Sequence, residues 1–301
     1  MLELPEILLH PYSLIAFLLF IFVTRRFFFN STRNKNLPPS PTKIPVVGNL
    51  LQLGLYPHPS LQSLAKRYGP LMLLHLGSTP ALVVSSADGA REIMRTHDLV
   101  FSNRPDLSIG RRLLYDYKDL SLAPYGEYWR QMRGICVLQL LTAKRVRLFQ
   151  SVREEETDLL VQTVENFSSS SLPVDLSELL SALTNDVVCR ISLGKKYRQG
   201  DGARKFKKLL EEFGAVLGVF NVGDFIPWLG WINYLTGLNA RVERVFKEFD
   251  SFLDEVVDES EAKRVGGNED KMNFMDVLLE IQKNRTDGIS IGRDSIKAII
   301  L

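Results

Sequence analysis

The chain has 301 residues, 45% hydrophobic and 24% charged, which is enough to bury one large hydrophobic core or two medium ones. Its 37 basic and 35 acidic residues leave a net charge of +2, so overall charge indicates neither a nucleic acid nor an acidic partner. The two cysteines, Cys136 and Cys189, form neither a disulfide framework nor a zinc pattern, and we expect two buried thiols. The four histidines are scattered without ligand spacing, which argues against non-haem metal catalysis.

An apolar segment near the N-terminus predicts a membrane anchor. Residues 7–23 are almost all apolar, at the short end of the length that a spanning helix needs. Acidic residues precede this segment and basic residues follow it at once: Glu3 and Glu6 before, then Arg25, Arg26, Arg33 and Lys35 after. The positive-inside rule then places the N-terminus in the lumen and the rest of the chain in the cytosol. A cleaved signal peptide is the alternative, but in such peptides the positive charge comes before the apolar run.

Prolines follow the anchor at high density. The chain reads L-P-P-S-P from Leu37 and I-P-V-V-G-N from Ile44. Proline fixes φ and removes a backbone donor, so this stretch is predicted to be a stiff, extended connector. The predicted organisation is an anchor over residues 1–29, a basic and proline-rich connector over 30–49, and one body over 50–301.

Beyond the connector, periodicity predicts helices around one hairpin. Apolar residues at helical spacing over 61–68 predict an amphipathic helix that ends at Gly69. Residues 71–77 and 81–86 flank the sequence S-T-P and predict the two strands of a hairpin. A further helix is predicted through residues 90–94. Residues 101–125 show no sustained period and are predicted to be a long functional loop, because their apolar and aromatic content argues against disorder.

The remainder is predicted to be mainly helical. The predicted helices are 142–167, with Thr142 as its N-cap, then 176–193, 206–220, 240–260 and 274–281. A charged surface loop is predicted over residues 266–271. Asp294 and Ser295 begin a last helix that has isoleucines along one face. No stop signal follows these isoleucines, so we expect a longer protein that has been cut at the start of a helix.

The segment from Ala123 to Arg133, A-P-Y-G-E-Y-W-R-Q-M-R, carries the clearest functional signal. Trp129 and Arg133 lie four residues apart, so they share one face of a helix. The guanidinium can bind a carboxylate in a bidentate manner while the indole N–H donates to a second oxygen. The pair therefore predicts a buried acidic ligand. The alternative is that Trp129 merely packs and Arg133 is a solvated helix residue.

Five motifs in order resemble those of one family. They are P-P-S-P-x-x-x-P-V-V-G-N-L, Y-G-P-L-M-x-L-x-L-G, F-S-N-R-P, Y-G-E-Y-W-R-Q-M-R and F-N-V-G-D-F-I-P-W-L. Together they resemble the cytochromes P-450, and most of all the plant A-type enzymes of the seventy-one family, of the endoplasmic reticulum. The resemblance covers essentially residues 1–301. It implies a mainly α fold with a small β-sheet, preceded by one transmembrane helix and incomplete, since the chain stops at the start of the long central helix.

The resemblance also implies a cofactor and partners. In the family the W-x-x-x-R helix meets the propionates of haem b, which falls here on Trp129 and Arg133. The complete enzyme would be a monooxygenase that inserts one oxygen atom from O₂ into a small apolar plant metabolite. Its electrons would come from NADPH through a membrane-bound cytochrome P-450 reductase, with the body on the cytosolic face of the endoplasmic reticulum membrane.

Family position further suggests a substrate pocket. The loop before Trp129 would close over the substrate, and residues 220–232 would form a channel roof that touches the bilayer. The candidate pocket residues are Leu113, Leu114, Leu120, Leu122, Phe220 and Phe225. A plainer account is that the leucines belong to the hydrophobic core and that the aromatic stretch packs a pair of helices.

Three consecutive motifs of the family are missing from this chain: A-G-x-D-T, the E-x-x-R that follows it in the family, and the haem-ligand loop F-x-x-G-x-R-x-C-x-G. Neither Cys136 nor Cys189 has the context of that loop, so we nominate no axial ligand and no catalytic residue. The 301-residue chain alone is therefore expected to be inactive and not to hold haem. The alternative function is a non-catalytic, truncated membrane protein, or an interaction remnant that occupies the reductase or other partners.

Overall fold

The computed structural model describes residues 14–15, 17–22, 36–196, 201–263, 272–284 and 291–301. These residues form two compact units. Unit 1 comprises Met1–Phe101 with Phe225–Leu229, and unit 2 comprises Ser102–Asp224 with Gly230–Leu301. The predicted class, mainly helical with a small antiparallel sheet, is confirmed.

Unit 1 contains a β-hairpin and short helices. Its elements are α1 (Leu50–Leu53), α2 (Pro57–Tyr68), β1 (Leu71–Leu76), β2 (Thr79–Val84), α3 (Ala87–Arg91), a π-helical continuation (Glu92–Thr96), α4 (Asp98–Phe101) and a 3₁₀ turn (Pro227–Leu229). The strands pair in antiparallel register, with Leu71 opposite Val84. The turn is Gly77-Ser78, one step earlier than predicted, so Pro80 lies inside β2. Both strands of a two-stranded sheet are edges, and an edge tolerates a residue without an N–H.

The motif P-V-V-G-N ties the proline-rich connector to β1. The backbone N–H of Asn49 donates to the carbonyl of His75 over 2.6 Å, and the Asn49 side chain accepts from the His75 N–H over 2.8 Å. Gly48 has a φ of 66°, and a Cβ atom there would lie 2.1 Å from the His75 carbonyl oxygen. Only glycine fits such a close backbone approach.

Unit 2 is helical. Its helices are α5 (Ser108–Leu113), α6 (Glu127–Ile135) with a π-helical extension (Cys136–Leu140), α7 (Ala143–Leu148), α8 (Gln150–Ser169), α9 (Leu176–Leu193), α10 (Asp201–Leu217), α11 (Val222–Phe225, its last residue in unit 1), α12 (Ile232–Leu235), α13 (Leu238–Lys263), α14 (Phe274–Asn284) and α15 (Arg293–Ile300). The largest core cluster joins α6, α13, α14 and α15 through Met132, Val257, Leu278 and Ile296. The core thus fixes α6, the helix with the candidate pair.

Several predicted boundaries change. Helix 176–193 matches α9 to the residue, but the predicted helix 142–167 is two helices that break at Phe149. Thr142 does cap α7, accepting a hydrogen bond from the N–H of Arg145. The long loop predicted over 101–125 contains α5, whose six residues are too few for a period to show in sequence. The charged loop predicted over 266–271 lies outside the described residues.

A left-handed turn follows α5. Tyr115, Asp116 and Tyr117 have φ values of 53°, 58° and 61°, a region that residues with side chains rarely adopt. The Tyr115 hydroxyl donates to Asp250 on α13 over 2.8 Å, and the Tyr117 hydroxyl accepts from the N–H of Leu107 over 2.6 Å. These tertiary contacts hold a backbone conformation that the local sequence does not favour.

Helix α15 is fixed by charge as well as by apolar packing. Lys297, only 4% exposed, contacts Asp250 over 2.7 Å and Asp254 over 2.6 Å, and Arg293 contacts Asp254 over 2.7 Å. Burial alone would raise the pKa of Asp254, but hydrogen bonds from Lys297 and Arg293 outweigh it and lower that pKa below its ordinary value. The carboxylate therefore remains charged where α13 meets α15.

The predicted anchor is described only in part. Residues 17–22 are helical and exposed. No single helix in the described ranges is both long and apolar enough to cross a bilayer. One bent pair of helical segments, residues 206–225 with 227–235, meets the length and composition requirements together.

Candidate functional site

Helix α6 carries the predicted ligand-binding pair. Met132 is 1% exposed and packs into the large core cluster together with Cys136 in the π-helical extension. Trp129 is half-buried, and Arg133 is exposed. Because the buried side of the helix is fixed in the core, packing sets the backbone positions of Trp129 and Arg133.

The structure brings Trp129 and Arg133 together by stacking. The guanidinium carbon of Arg133 lies 5.3 Å from the centroid of the Trp129 ring, within the range of a cation–π interaction. The indole N–H donates to the carbonyl oxygen of Leu120 over 3.0 Å. The ring of Tyr125 packs against the indole, with the centroids 5.5 Å apart. The indole donor is therefore engaged by the protein, whereas the guanidinium donates no hydrogen bond to any residue that the structure describes.

Arg133 has no acidic partner within the part of the chain that the structure describes. Some arginines of unit 2 do have such a partner: Arg112 contacts Glu243 over 2.8 Å, and Arg190 contacts Glu155 over 2.6 Å. A guanidinium offers five N–H donors in a planar fork that matches a carboxylate. Arg133 therefore presents a guanidinium that could bind a carboxylate and that no acidic side chain of the described ranges pairs with, on a helix held in the core.

Two side chains of helix α6 also donate hydrogen bonds to the loop that precedes it. The Tyr128 hydroxyl donates to the carbonyl of Lys118 over 2.7 Å, as the Trp129 indole does to the carbonyl of Leu120. Burial raises the pKa of the Tyr128 hydroxyl, which favours its neutral, donating form. These two hydrogen bonds fix the backbone of the loop at alternate residues.

Between the two carbonyls lies Asp119, which is 3% exposed and which sequence reasoning did not single out. One of its carboxylate oxygens accepts hydrogen bonds from the backbone N–H groups of Ser121, over 2.7 Å, and Leu122, over 2.8 Å. A lone aspartate in a loop usually faces solvent. The sequence Asp-Leu-Ser could have indicated this turn, since aspartate side chains often accept a hydrogen bond from the backbone N–H two residues further on.

The predicted pocket residues lie in several environments. Leu113 is 1% exposed and belongs to a core cluster with Val216 and Val245, and Leu114 is also buried. The placement of Leu113 matches the plainer account of a core leucine. The others are half-buried or exposed: Leu120, Leu122 and Phe220 in unit 2, and Phe225 in unit 1, where its carbonyl accepts from the N–H of Ser78. Their role as a substrate pocket stays a prediction.

A cleft of about 460 Å³ lies beside the left-handed turn. It is lined by Ser108, Arg111, Arg112, Tyr115, Asp116, Lys118, Phe246, Asp250, Asp294 and Lys297, a set that includes none of the predicted pocket residues. The basic side chains that line the cleft pair with acidic neighbours; Lys118, for example, contacts Asp294 over 2.9 Å. Acidic groups of the described residues therefore already balance these positive charges.

Both cysteines are buried, as predicted. Burial raises the pKa of the Cys136 thiol and of the Cys189 thiol to about 11, so both remain protonated near neutral pH. A neutral buried thiol is a poor nucleophile and a poor metal ligand. The two side chains act as core residues.

Comparison with known proteins identifies the family. A family model described as Cytochrome P450 matches residues 38–301. Cytochrome P450 71A26 of Arabidopsis thaliana is 49% identical over 269 residues, which cover 89% of this chain and 53% of that protein. Tabersonine/lochnericine 19-hydroxylase of Catharanthus roseus is 45% identical over 279 residues, which cover 90% of this chain and 55% of that protein.

A solved structure supports the fold. A zebra fish cytochrome P450 with progesterone superimposes with a TM-score of 0.62 at 21% identity, covering 82% of this chain and 55% of that one. The chain spans about half the length of the curated relatives that it matches first, from 53% to 60%. The family match over residues 38–301, together with the plant relatives, shows that the chain belongs to the cytochrome P450 family.

Proposed function

We propose that this chain is part of a haem-dependent monooxygenase in which Arg133 binds a haem propionate. The observation that carries the proposal is the exposed guanidinium of Arg133, which has no acidic partner in the described ranges and lies on a helix fixed in the core. Haem propionates are carboxylates, which suit a planar guanidinium. Family membership supplies the reason to expect haem as the source of those carboxylates.

Arg133 and Trp129 fit haem in different ways. The Arg133 guanidinium donates no hydrogen bond within the described part of the chain, whereas the Trp129 N–H is engaged by the Leu120 carbonyl over 3.0 Å. Arg133 is therefore the propionate-binding residue, and Trp129 supports it by stacking. A guanidinium that rests on a fixed ring loses less side-chain freedom when it binds, so part of the ordering cost is met before haem arrives.

The full activity that we propose is insertion of one oxygen atom from O₂ into a small apolar plant metabolite. When bound, haem supplies the oxygen chemistry, and the residues of this chain bind and orient it. Electrons would come from NADPH through a membrane-bound reductase. The names of two relatives, a 19-hydroxylase of Catharanthus roseus and a norfluorocurarine oxidase of Strychnos, support an oxidation of this class.

We also propose that the body lies on the cytosolic side of the endoplasmic reticulum membrane, anchored by residues 1–29. The apolar run over 7–23 and the basic residues that follow it support this orientation. The candidate pocket residues Leu113, Leu114, Leu120, Leu122, Phe220 and Phe225 remain part of the proposal through their family position alone.

The proposal is tested with a chimera. Residues 38–301 replace the matching part of cytochrome P450 71A26, and the reduced, carbon-monoxide-bound spectrum is recorded for the chimera and for the 301-residue chain expressed with haem. We expect a haem-thiolate band from the chimera and none from the chain alone, whose sequence has no F-x-x-G-x-R-x-C-x-G loop.

Two outcomes would contradict this expectation. A thiolate-type Soret shift from the 301-residue chain would show that it supplies its own axial ligand. A chimera that folds but retains no haem would count against the haem-binding role of this region and favour the non-catalytic alternative.

A further inference from the structure

Asp119 forms a compact turn directly before the candidate pair. One carboxylate oxygen, Oδ2, accepts from the N–H of Ser121 over 2.7 Å, from the Ser121 hydroxyl over 2.5 Å, and from the N–H of Leu122 over 2.8 Å. The side chain is almost fully buried, at 3% exposure. Its other oxygen, Oδ1, has no hydrogen-bond partner in the residues described here.

Burying a carboxylate costs free energy unless hydrogen bonds compensate for the lost water. One oxygen of Asp119 accepts all three hydrogen bonds, from the N–H and hydroxyl of Ser121 and the N–H of Leu122, so residues 119–122 form a tightly specified turn. The buried side chain and its three hydrogen bonds therefore hold this turn in one conformation.

The turn determines the position of one atom of the candidate site. Leu120 lies inside the segment that Asp119 closes, and its carbonyl oxygen accepts the indole N–H of Trp129 over 3.0 Å. The Trp129 ring is in turn the surface on which the guanidinium of Arg133 rests, at 5.3 Å. A continuous series of contacts thus joins the Asp119 carboxylate to the Arg133 guanidinium.

We propose that Asp119 is a positioning residue for the Trp129–Arg133 pair: it fixes the Leu120 carbonyl, which holds the indole and so sets the place of the guanidinium. The role in haem binding rests on the proposed function, whereas the link from Asp119 to the Trp129 hydrogen bond stands without it. The two parts are therefore tested separately.

The first test measures the indole hydrogen bond directly in the 301-residue chain in detergent. The chain has three tryptophans, and Trp228 and Trp231 are 66% and 55% exposed, so Trp228→Phe with Trp231→Phe leaves Trp129 as the sole reporter. Ultraviolet resonance Raman spectroscopy reports hydrogen bonding of the indole N–H, and acrylamide quenching of fluorescence reports access to the ring.

In this background we expect Asp119→Ala to move the indole band to a weaker hydrogen bond and to increase quenching. The matched control is Asp116→Asn, a neighbouring aspartate whose side chain is 71% exposed and pairs with Arg111; it should leave both signals unchanged. An Asp119→Ala protein with native circular dichroism and an unchanged indole band would overturn the proposal.

If Asp119→Ala fails to fold, the same indole band is measured in Asp119→Asn. Its neutral amide oxygen accepts more weakly than a carboxylate, so a smaller shift in the same direction supports the proposal and an unchanged band overturns it. The haem affinities of Asp119→Asn and Arg133→Ala supply the separate test, and they are measured in the chimera because the 301-residue chain is not expected to hold haem. If the band shifts but Arg133→Ala binds haem normally, the proposed function fails while the positioning role stands. If Arg133→Ala weakens haem binding but the band does not move, only the positioning role fails.

Discussion

Replacing Arg133 by alanine is expected to weaken haem binding in the chimera by about 10- to 150-fold. A hydrogen bond to a charged group contributes about 1.5–3 kcal/mol, which corresponds to that range in affinity. Arg133 pairs with no acidic side chain in the described ranges. Replacing it therefore deprives no acidic group of those ranges of its partner. The measurement is haem transfer to apomyoglobin, which gives the dissociation rate of haem from each variant.

The matched control is Arg130→Ala. Arg130 lies on the same helix, is also exposed, and stacks on Tyr125 with its guanidinium carbon 5.4 Å from the ring centroid. Removing it changes the charge of α6 by the same amount, but we expect less than a threefold change in the haem dissociation rate. Equal effects of the two substitutions would show that Arg133 acts through the general charge of the helix and not through a direct contact.

Replacing Glu156 is expected to produce the second large effect, a loss of folding stability. It lies on α8 with a side chain only 1% exposed, 2.5 Å from Arg190 and 2.6 Å from Lys196. We expect Glu156→Gln to lower the free energy of unfolding by about 3 kcal/mol, the lower end of the range for breaking a buried ion pair. The lower end applies because Arg190 and Lys196 are 23% and 32% exposed and keep part of their hydration. Urea unfolding monitored by circular dichroism measures the loss.

Glu155 is the control for that substitution. It is the preceding residue and binds the same Arg190 over 2.6 Å, but its side chain is 59% exposed. An exposed ion pair contributes no more than about 1 kcal/mol, so Glu155→Gln should shift the unfolding midpoint only slightly. Losses of similar size for Glu155→Gln and Glu156→Gln would contradict the assignment of Glu156 as the stabilising member.

The effect of Glu156 should also depend on pH. Burial alone would raise the pKa of Glu156, but hydrogen bonds from Lys196 and Arg190 outweigh it and keep that pKa below its ordinary value. The stabilisation is therefore complete above the unfolded pKa of about 4.3 and is lost as the pH falls through the folded pKa. The difference between wild type and Glu156→Gln should be constant above about pH 5 and should shrink below about pH 4. A difference that persists undiminished at low pH would exclude the charge as its cause.

The sequence predicts the long periodic helices well. Helix α9 matches its predicted bounds because both ends carry local signals: the Asp175 side chain accepts from the N–H of Glu178, and Gly194 has the left-handed φ of 75° that ends a helix. Local chemistry is enough where the periodicity is long and both caps are present. The break at Phe149, between α7 and α8, carries no cap or turn residue that would predict it.

The conformation of the segment between α5 and α6 could not be predicted from the sequence. Its left-handed turn is held by contacts such as that of Tyr115 with Asp250, 135 residues away along the chain. No local pattern encodes a contact at that distance. A loop prediction over residues 101–125 was the natural outcome, and it missed both α5 and the buried Asp119.

For the candidate site, the sequence predicted that Trp129 and Arg133 lie together but not how their donors are arranged. The spacing of Trp129 and Arg133 predicted a shared helix face, which the stacking distance of 5.3 Å confirms. That the indole N–H is engaged by Leu120 depends on the tertiary position of the loop and could not be predicted from spacing. The division of roles that we propose, with Arg133 as the binding residue and Trp129 as its support, therefore rests on this tertiary contact.

The most direct measurement of the central claim pairs the Arg133→Ala substitution with a change in the cofactor. Haem dimethyl ester has both propionates neutralised, so it cannot form a charged contact with the guanidinium. If Arg133 binds a propionate, Arg133→Ala weakens binding of haem by about 10- to 150-fold but changes binding of the diester by less than about threefold. An equal loss for haem and for its dimethyl ester would contradict a direct contact between Arg133 and a propionate.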